Sequence, residues 1–156
     1  MVRQSDWLNY HDLVAIVEEG DLIECDSGLF CHWAVYVGRQ GTRHLVVHRV
    51  GQFSTDENNT GIRVSEFRDL FNNRKCRIYN YMDGRATVNN PQETVDRAMS
   101  RVHDKEYNLV FGNCEHFATW CRYSQENSDQ VFVLKNIMKC IQGGSRNFPV
   151  FFWVAN

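Results

Sequence analysis

The sequence predicts an α+β fold, an antiparallel sheet packed against a few helices. Three observations point there. Two strand-length runs, His32-Trp33-Ala34-Val35-Tyr36-Val37-Gly38 and Leu45-Val46-Val47-His48-Arg49-Val50-Gly51, are joined by a turn within residues 39–42. Helical spacing takes over downstream, with Val95, Ala98, Met99 and Val102 on one stripe and Cys114, Phe117, Ala118 and Cys121 on another. The chain has 156 residues, 43% of them hydrophobic, enough for one domain with a sizeable core.

The elements follow in order. Residues 1–19 form a lead-in with a short helix near Asp12 to Val17. Gly20-Asp21 turns into a strand over Leu22 to Cys25, and Ser27-Gly28 marks a loop. The hairpin strands span 32–38 and about 43–50. The polar run Ser54 to Thr60 reads as an exposed loop. Ser65 reads as the N-cap of a short helix over residues 66–71. Cys76 to Tyr81 alternates like a strand, and Asp83-Gly84 turns it. Asn90-Pro91-Gln92-Glu93 is a helix start, combining a cap, a proline at the first helical position and an acid three residues on. Asn113 caps the next helix. Ser128 caps a last one carrying Val131, Leu134, Met138 and Ile141, which Gly143-Gly144 stops. The domain proper is thus 20–142, between the lead-in 1–19 and an apolar tail, 143–156. The run Phe148 to Val154 is far below the roughly 20 residues of a membrane-spanning helix. It reads as a docked terminal strand or plug, as an interfacial anchor, or as a segment cut short.

Net charge is −2, which argues against a general nucleic-acid binder. The N-terminal residues do not resemble a signal peptide. The six cysteines are therefore expected to be free thiols in a reducing compartment. Cys114, His116 and Cys121 do not match a zinc-finger spacing, and no Cys-x-x-Cys occurs, so no metal is expected.

Cys114 stands out. It falls in the first turn of a helix whose other same-face residues are apolar. The positive end of a helix favours thiolate over thiol, which suits a nucleophile. The bland alternative is a buried structural cysteine. His116, two residues on, should point away from such a site and act as a structural hydrogen-bonder. His11 and His103 read as surface groups, Glu115 as serving helix-end electrostatics or packing, and Tyr36 as core, with the lining of a pocket as its second reading.

The strings Gly20-Asp21-Leu22-Ile23-Glu24, HWAVYVG, VVHRVG, Asn80-Tyr81-Met82-Asp83-Gly84, Tyr107-Asn108-Leu109 and Asn113-Cys114-Glu115-His116-Phe117 occur in this order. The chain from about Gly20 to Cys140 thereby resembles the family of lecithin:retinol acyltransferase and the HRAS-like phospholipase A/acyltransferases. That family pairs a histidine-led strand with a downstream NCEHF box. The resemblance implies a permuted papain-like architecture of the NlpC type. It implies a cysteine acyltransferase or phospholipase A that forms a thioester on Cys114, with His32 as base. A second histidine orients that base: His48, which matches VVH and is preferred, or His44, which matches a shorter spacing seen in many members. Alternation does not separate the two, since they share a strand face. Asn113 supports the helix start. A ring nitrogen of His32 should lie within hydrogen-bonding reach of the Cys114 sulfur, or one small rearrangement away. The residue before the leading histidine is often arginine in phospholipase-type members. Here it is Cys31, so the backbone N–H of Cys114 becomes the oxyanion donor. No cofactor is implied. The implied partners are a phospholipid or membrane surface and an acyl acceptor, which is water, an amine or an alcohol. The implied location is cytoplasmic and peripheral at membranes. Some picornavirus 2A proteins share these boxes, and the alternative function is a host-interaction module that contacts host proteins.

Overall fold

The computed structural model describes residues 1–28, 31–50, 60–71, 73–104 and 114–124. The expected cap Asn113, the Tyr107-Asn108-Leu109 string, the helix after Ser128 and the tail 143–156 lie outside the described residues. The strands are β1 (Leu22–Asp26), β2 (Cys31–Gln40), β3 (Arg43–Val50), β4 (Gly61–Glu66) and β5 (Cys76–Ile78). They form one antiparallel sheet in the order β4-β3-β2-β1-β5. The helices among the described residues are α1 (Tyr10–Val14), α2 (Phe67–Phe71), α3 (Pro91–Ser100) and α4 (Cys114–Tyr123).

β2 is the central strand and is buried on both faces. Trp33 and Val35 pack with Ala98 of α3 and with Cys114, Phe117, Ala118 and Cys121 of α4. Ala34 and Tyr36 pack on the other face with Leu13 of α1 and Phe67 and Phe71 of α2. This explains the unbroken apolar run in the sequence: a strand covered on both sides has no polar face to alternate with. The lead-in belongs to the same body. Leu13 is fully buried, and Gln4 and Leu8 bridge to Tyr79 and Cys76.

The β2–β3 hairpin closes at Gln40↔Arg43, with Gly41 at φ 63° in its two-residue turn. The ladder shifts register between Tyr36 and Gly38. Gly38 has φ 103°, a backbone conformation that L side chains rarely adopt, so the shift favours glycine.

Several expectations need correction. Ser65 lies in β4 and does not cap a helix; α2 begins at Phe67, directly after the strand. The strand expected over residues 76–81 stops at Ile78. The thiols are not all free, because Cys25 and Cys76 form a disulfide. These two residues face each other across the β1–β5 ladder with Cα atoms 4.1 Å apart. They are 51 positions apart in the chain, so the pairing depends on strand register, which sequence spacing does not reveal.

Candidate active site

Cys114 opens α4, and 3% of its surface is exposed. Phe117, Ala118 and Cys121 anchor the same helix face in the core between α4 and the sheet. This drives the first turn of α4 against β2. The Cys114 sulfur accepts a hydrogen bond from the Trp33 backbone N–H at 3.4 Å, and its thiol faces the Cys31 carbonyl at 3.8 Å. The β2–β3 pairing ends at Ala34↔His48. One residue further, the sulfur takes the Trp33 N–H in place of a strand partner. It is held by the two peptide groups that flank His32.

The Cys114 thiol is pushed up from its ordinary pKa, chiefly by burial; the N–H groups of Trp33, Glu115 and Cys114 itself oppose this. The helix-end expectation of a stabilised thiolate is therefore outweighed by desolvation, and the resting group is the thiol. Cys31 is half-buried and pushed up to about 12, by burial first and then by a hydrogen bond to Glu24. It is a poor nucleophile.

His32 follows the parity of Ala34 and Tyr36, so its ring lies toward α2 while Cys114 arrives from the α4 face. Cys114 and His32 make no hydrogen bond with each other in this structure. His32 Nε2 lies 2.9 Å from Nδ1 of His48, and His48 Nε2 lies 2.9 Å from Oγ of Ser65. Register explains the contact. His48 pairs with Ala34, which puts it diagonally across from His32, within reach of a ring. His44 shares the face but pairs with Arg39 near the turn, and its Nδ1 meets the Tyr36 hydroxyl at 2.7 Å. Of the two candidates, only His48 touches His32. Asn113 lies outside the described residues.

Desolvation pushes both rings down to about 4. The Arg74 guanidinium adds to this at His32, and His32 and Arg63 add to it at His48. Both imidazoles are therefore neutral at pH 7. The sign follows: between about pH 4 and 6.5 the unfolded chain binds more protons than the folded one, so stability rises with pH across that window. Melting temperature should fall on acidification from pH 7 to pH 5. His32→Gln with His48→Gln should flatten that slope, as thermal scans at the two pH values will show.

The remaining site-adjacent residues fall as follows. Glu115 and His116 are buried on α4, and Glu115 accepts a hydrogen bond from the Tyr81 hydroxyl at 3.1 Å. Tyr36 is core, and His11 and His103 are exposed. Sequence reasoning missed Ser65 as the partner of His48, since a hydroxyl ahead of a helical stretch gives the same signal as a cap. It also missed the Trp33 N–H, which leaves no sequence signal.

A family model described as lecithin retinol acyltransferase matches residues 15–127. The chain belongs to that family. Among its relatives, lecithin retinol acyltransferase of Mus musculus is 26% identical over 144 residues, covering 78% of this chain and 61% of that protein. Phospholipase A and acyltransferase 5 of Homo sapiens is 30% identical, covering 72% of this chain and 42% of that protein. Phospholipase A and acyltransferase 2 of Homo sapiens is 31% identical, covering 72% of this chain and 74% of that protein. The chain thus spans about half the length of the first two. Among the described residues, no helix is long and apolar enough to cross a membrane. Within this family's matched segment lie Cys114, His32, His48 and Ser65, the residues assembled above.

Proposed function

We propose that this chain is a thiol acyltransferase or phospholipase A that works through a thioester on Cys114. The observation that carries this reading is the buried Cys114 sulfur at the start of α4, held by the peptide groups either side of His32, whose ring begins the chain His32–His48–Ser65.

The hydrogen-bond chain suggests the proton assignments. His32 donates from Nε2 to His48 Nδ1, and His48 donates from Nε2 to Ser65 Oγ. This leaves the lone pair of His32 on Nδ1, the ring nitrogen nearest the main chain that grips the sulfur. A turn of the ring toward Cys114 lets Nδ1 take the thiol proton. The sulfur then bonds to the carbonyl carbon of a phospholipid acyl ester, and the carbonyl oxygen becomes an oxyanion. Backbone N–H groups in the first turn of α4 stabilise it. Collapse breaks the ester bond, and the leaving alkoxide takes the proton from His32 and departs as lysophospholipid. Water, an amine or an alcohol then attacks the thioester, giving its proton to His32, which returns it to the sulfur. The neutral resting pair makes thiol deprotonation part of the reaction barrier.

The named relatives are acyltransferases and phospholipases, which lends the host-interaction reading no support. Lysophospholipid release from phosphatidylcholine vesicles tests the proposal. His48→Gln should slow release by about 10–100-fold, a fraction of the general-base contribution, while His44→Gln leaves it within about twofold of wild type. The reverse ranking would move the orienting role to His44. No release by folded wild-type protein would remove the enzyme reading.

A further inference from the structure

The Cys25–Cys76 disulfide is a buried group beside the base that takes no part in acyl transfer. Cys25 pairs with His32 in the β1–β2 ladder and with Cys76 in the β1–β5 ladder. The three residues therefore form one row across β5, β1 and β2. Cys25 and Cys76 are fully buried in the core that also holds Ala34 and Tyr36, and strand parity puts His32 on that same face. Directly opposite residues of an antiparallel pair bring their Cβ atoms to about 4.5–5.5 Å on one face. Cys25 is thus the cross-strand neighbour of the base on the side away from His48.

A closed disulfide has no hydrogen to donate. An open pair carries two S–H donors in a buried row, where an unpaired donor is costly. Nε2 of His32 is engaged with His48, which leaves Nδ1 as the ring's available acceptor. Resting on the reading of His32 as base, we propose that Cys25–Cys76 is a redox switch on acyl transfer. Closed, it leaves the Nδ1 lone pair to the Cys114 thiol. Reduced, the Cys25 thiol donates to Nδ1 and competes with Cys114 for the same lone pair. The reductant is a dithiol. One of its thiolates attacks a sulfur of the pair, forming a mixed disulfide and freeing the other protein sulfur as a thiolate. Its second sulfur then displaces the remaining protein sulfur, so the dithiol ends as a disulfide and its two hydrogens end on Cys25 and Cys76. The fold provides a route to the bond. β5 is a three-residue strand at the end of the sheet, and Cys76 is held on its outer side by the backbone bridge to Leu8, at 2.9 and 3.2 Å. Lifting that edge exposes the sulfurs and leaves the β2–β3 pairing, which sets His32 against His48, in place.

Two measurements test this. The first is lysophospholipid release from phosphatidylcholine vesicles with and without a water-soluble phosphine. The phosphine opens the bond, takes the oxygen of water as its oxide and leaves the hydrogens on the two thiols; unlike a dithiol, it cannot accept the acyl group. Alkylation followed by intact-protein mass spectrometry should count two more thiols in the treated protein. Release by wild-type protein should then fall by about threefold to tenfold, the scale of one hydrogen bond, while Cys25→Val with Cys76→Val stays within about twofold of untreated wild type in both conditions. The second measurement needs neither turnover nor a variant: the Nδ1 signal of His32 in nitrogen NMR spectra should move when wild-type protein is reduced. If no lysolipid is released but this signal moves, the catalytic reading fails and the redox contact to His32 stands. The switch would be overturned by thiols that stay unlabelled in the treated native protein, by release that does not fall when the bond opens, by an unmoved Nδ1 signal, or by a valine pair that matches reduced wild type.

Discussion

Cys114→Ser should lower lysophospholipid release from phosphatidylcholine by roughly a thousandfold or more, the scale of losing a nucleophile that acts as a unit with its base. The hydroxyl has no accessible anionic form in this site, whereas the thiol is one proton transfer from a strong nucleophile. The serine oxygen can still accept the Trp33 N–H, so the fold should persist, and circular dichroism with a urea titration will confirm it. Activity within tenfold of wild type in Cys114→Ser would exclude the sulfur as nucleophile. His32→Gln should cause a loss of comparable scale, roughly 10²–10⁴-fold, because the base acts as a unit with the nucleophile.

The largest stability effect is expected at the other end of α4. Arg122 grips Asp83 with two hydrogen bonds of 3.0 Å, donated from Nε and Nη2, and gives Nη1 to the Gly20 carbonyl at 2.8 Å. The Tyr123 hydroxyl donates to the same carboxylate at 3.0 Å. Both charged residues are 8% exposed. Arg122→Met strands a buried carboxylate and a carbonyl, and should cost about 3–5 kcal/mol. A urea titration should show the midpoint falling accordingly. Asp83→Leu added to Arg122→Met should recover part of the loss, since the uncompensated charge is then gone. This network ties the end of α4 to the turn at Asp83-Gly84 and to the entry of β1. Its loss should also loosen the helix that presents Cys114.

Parts of this architecture can be read directly from residues. The apolar run of β2 marks a strand covered on both faces. The Asn90 cap of α3 is real, with its side-chain oxygen accepting the Glu93 N–H at 2.8 Å. Cys114 does open a helix. Other parts depend on what lies across the sheet. β4 escapes notice because its alternation, Ile62-Arg63-Val64-Ser65, is only four residues long and Ser65 gives the same signal as a helix cap. Period-2 parity puts His44 and His48 on one face, and only the pairing Ala34↔His48 separates them. The Cys25–Cys76 disulfide is likewise a matter of register. The state of the Cys114 thiol reverses the helix-end expectation because burial depth is a tertiary property. α1 begins at Tyr10, earlier than its apolar pattern suggests, because Asn9 caps it.

Intact-protein mass spectrometry after incubation with phosphatidylcholine vesicles tests the thioester on Cys114 most directly. Wild-type protein and Cys31→Ser should gain the mass of one fatty-acyl group, and hydroxylamine at neutral pH should remove it. Cys114→Ser should stay unmodified under the same conditions. Lysophospholipid release by wild-type protein with no acyl adduct at any time point, or an adduct that survives in Cys114→Ser, would contradict the account.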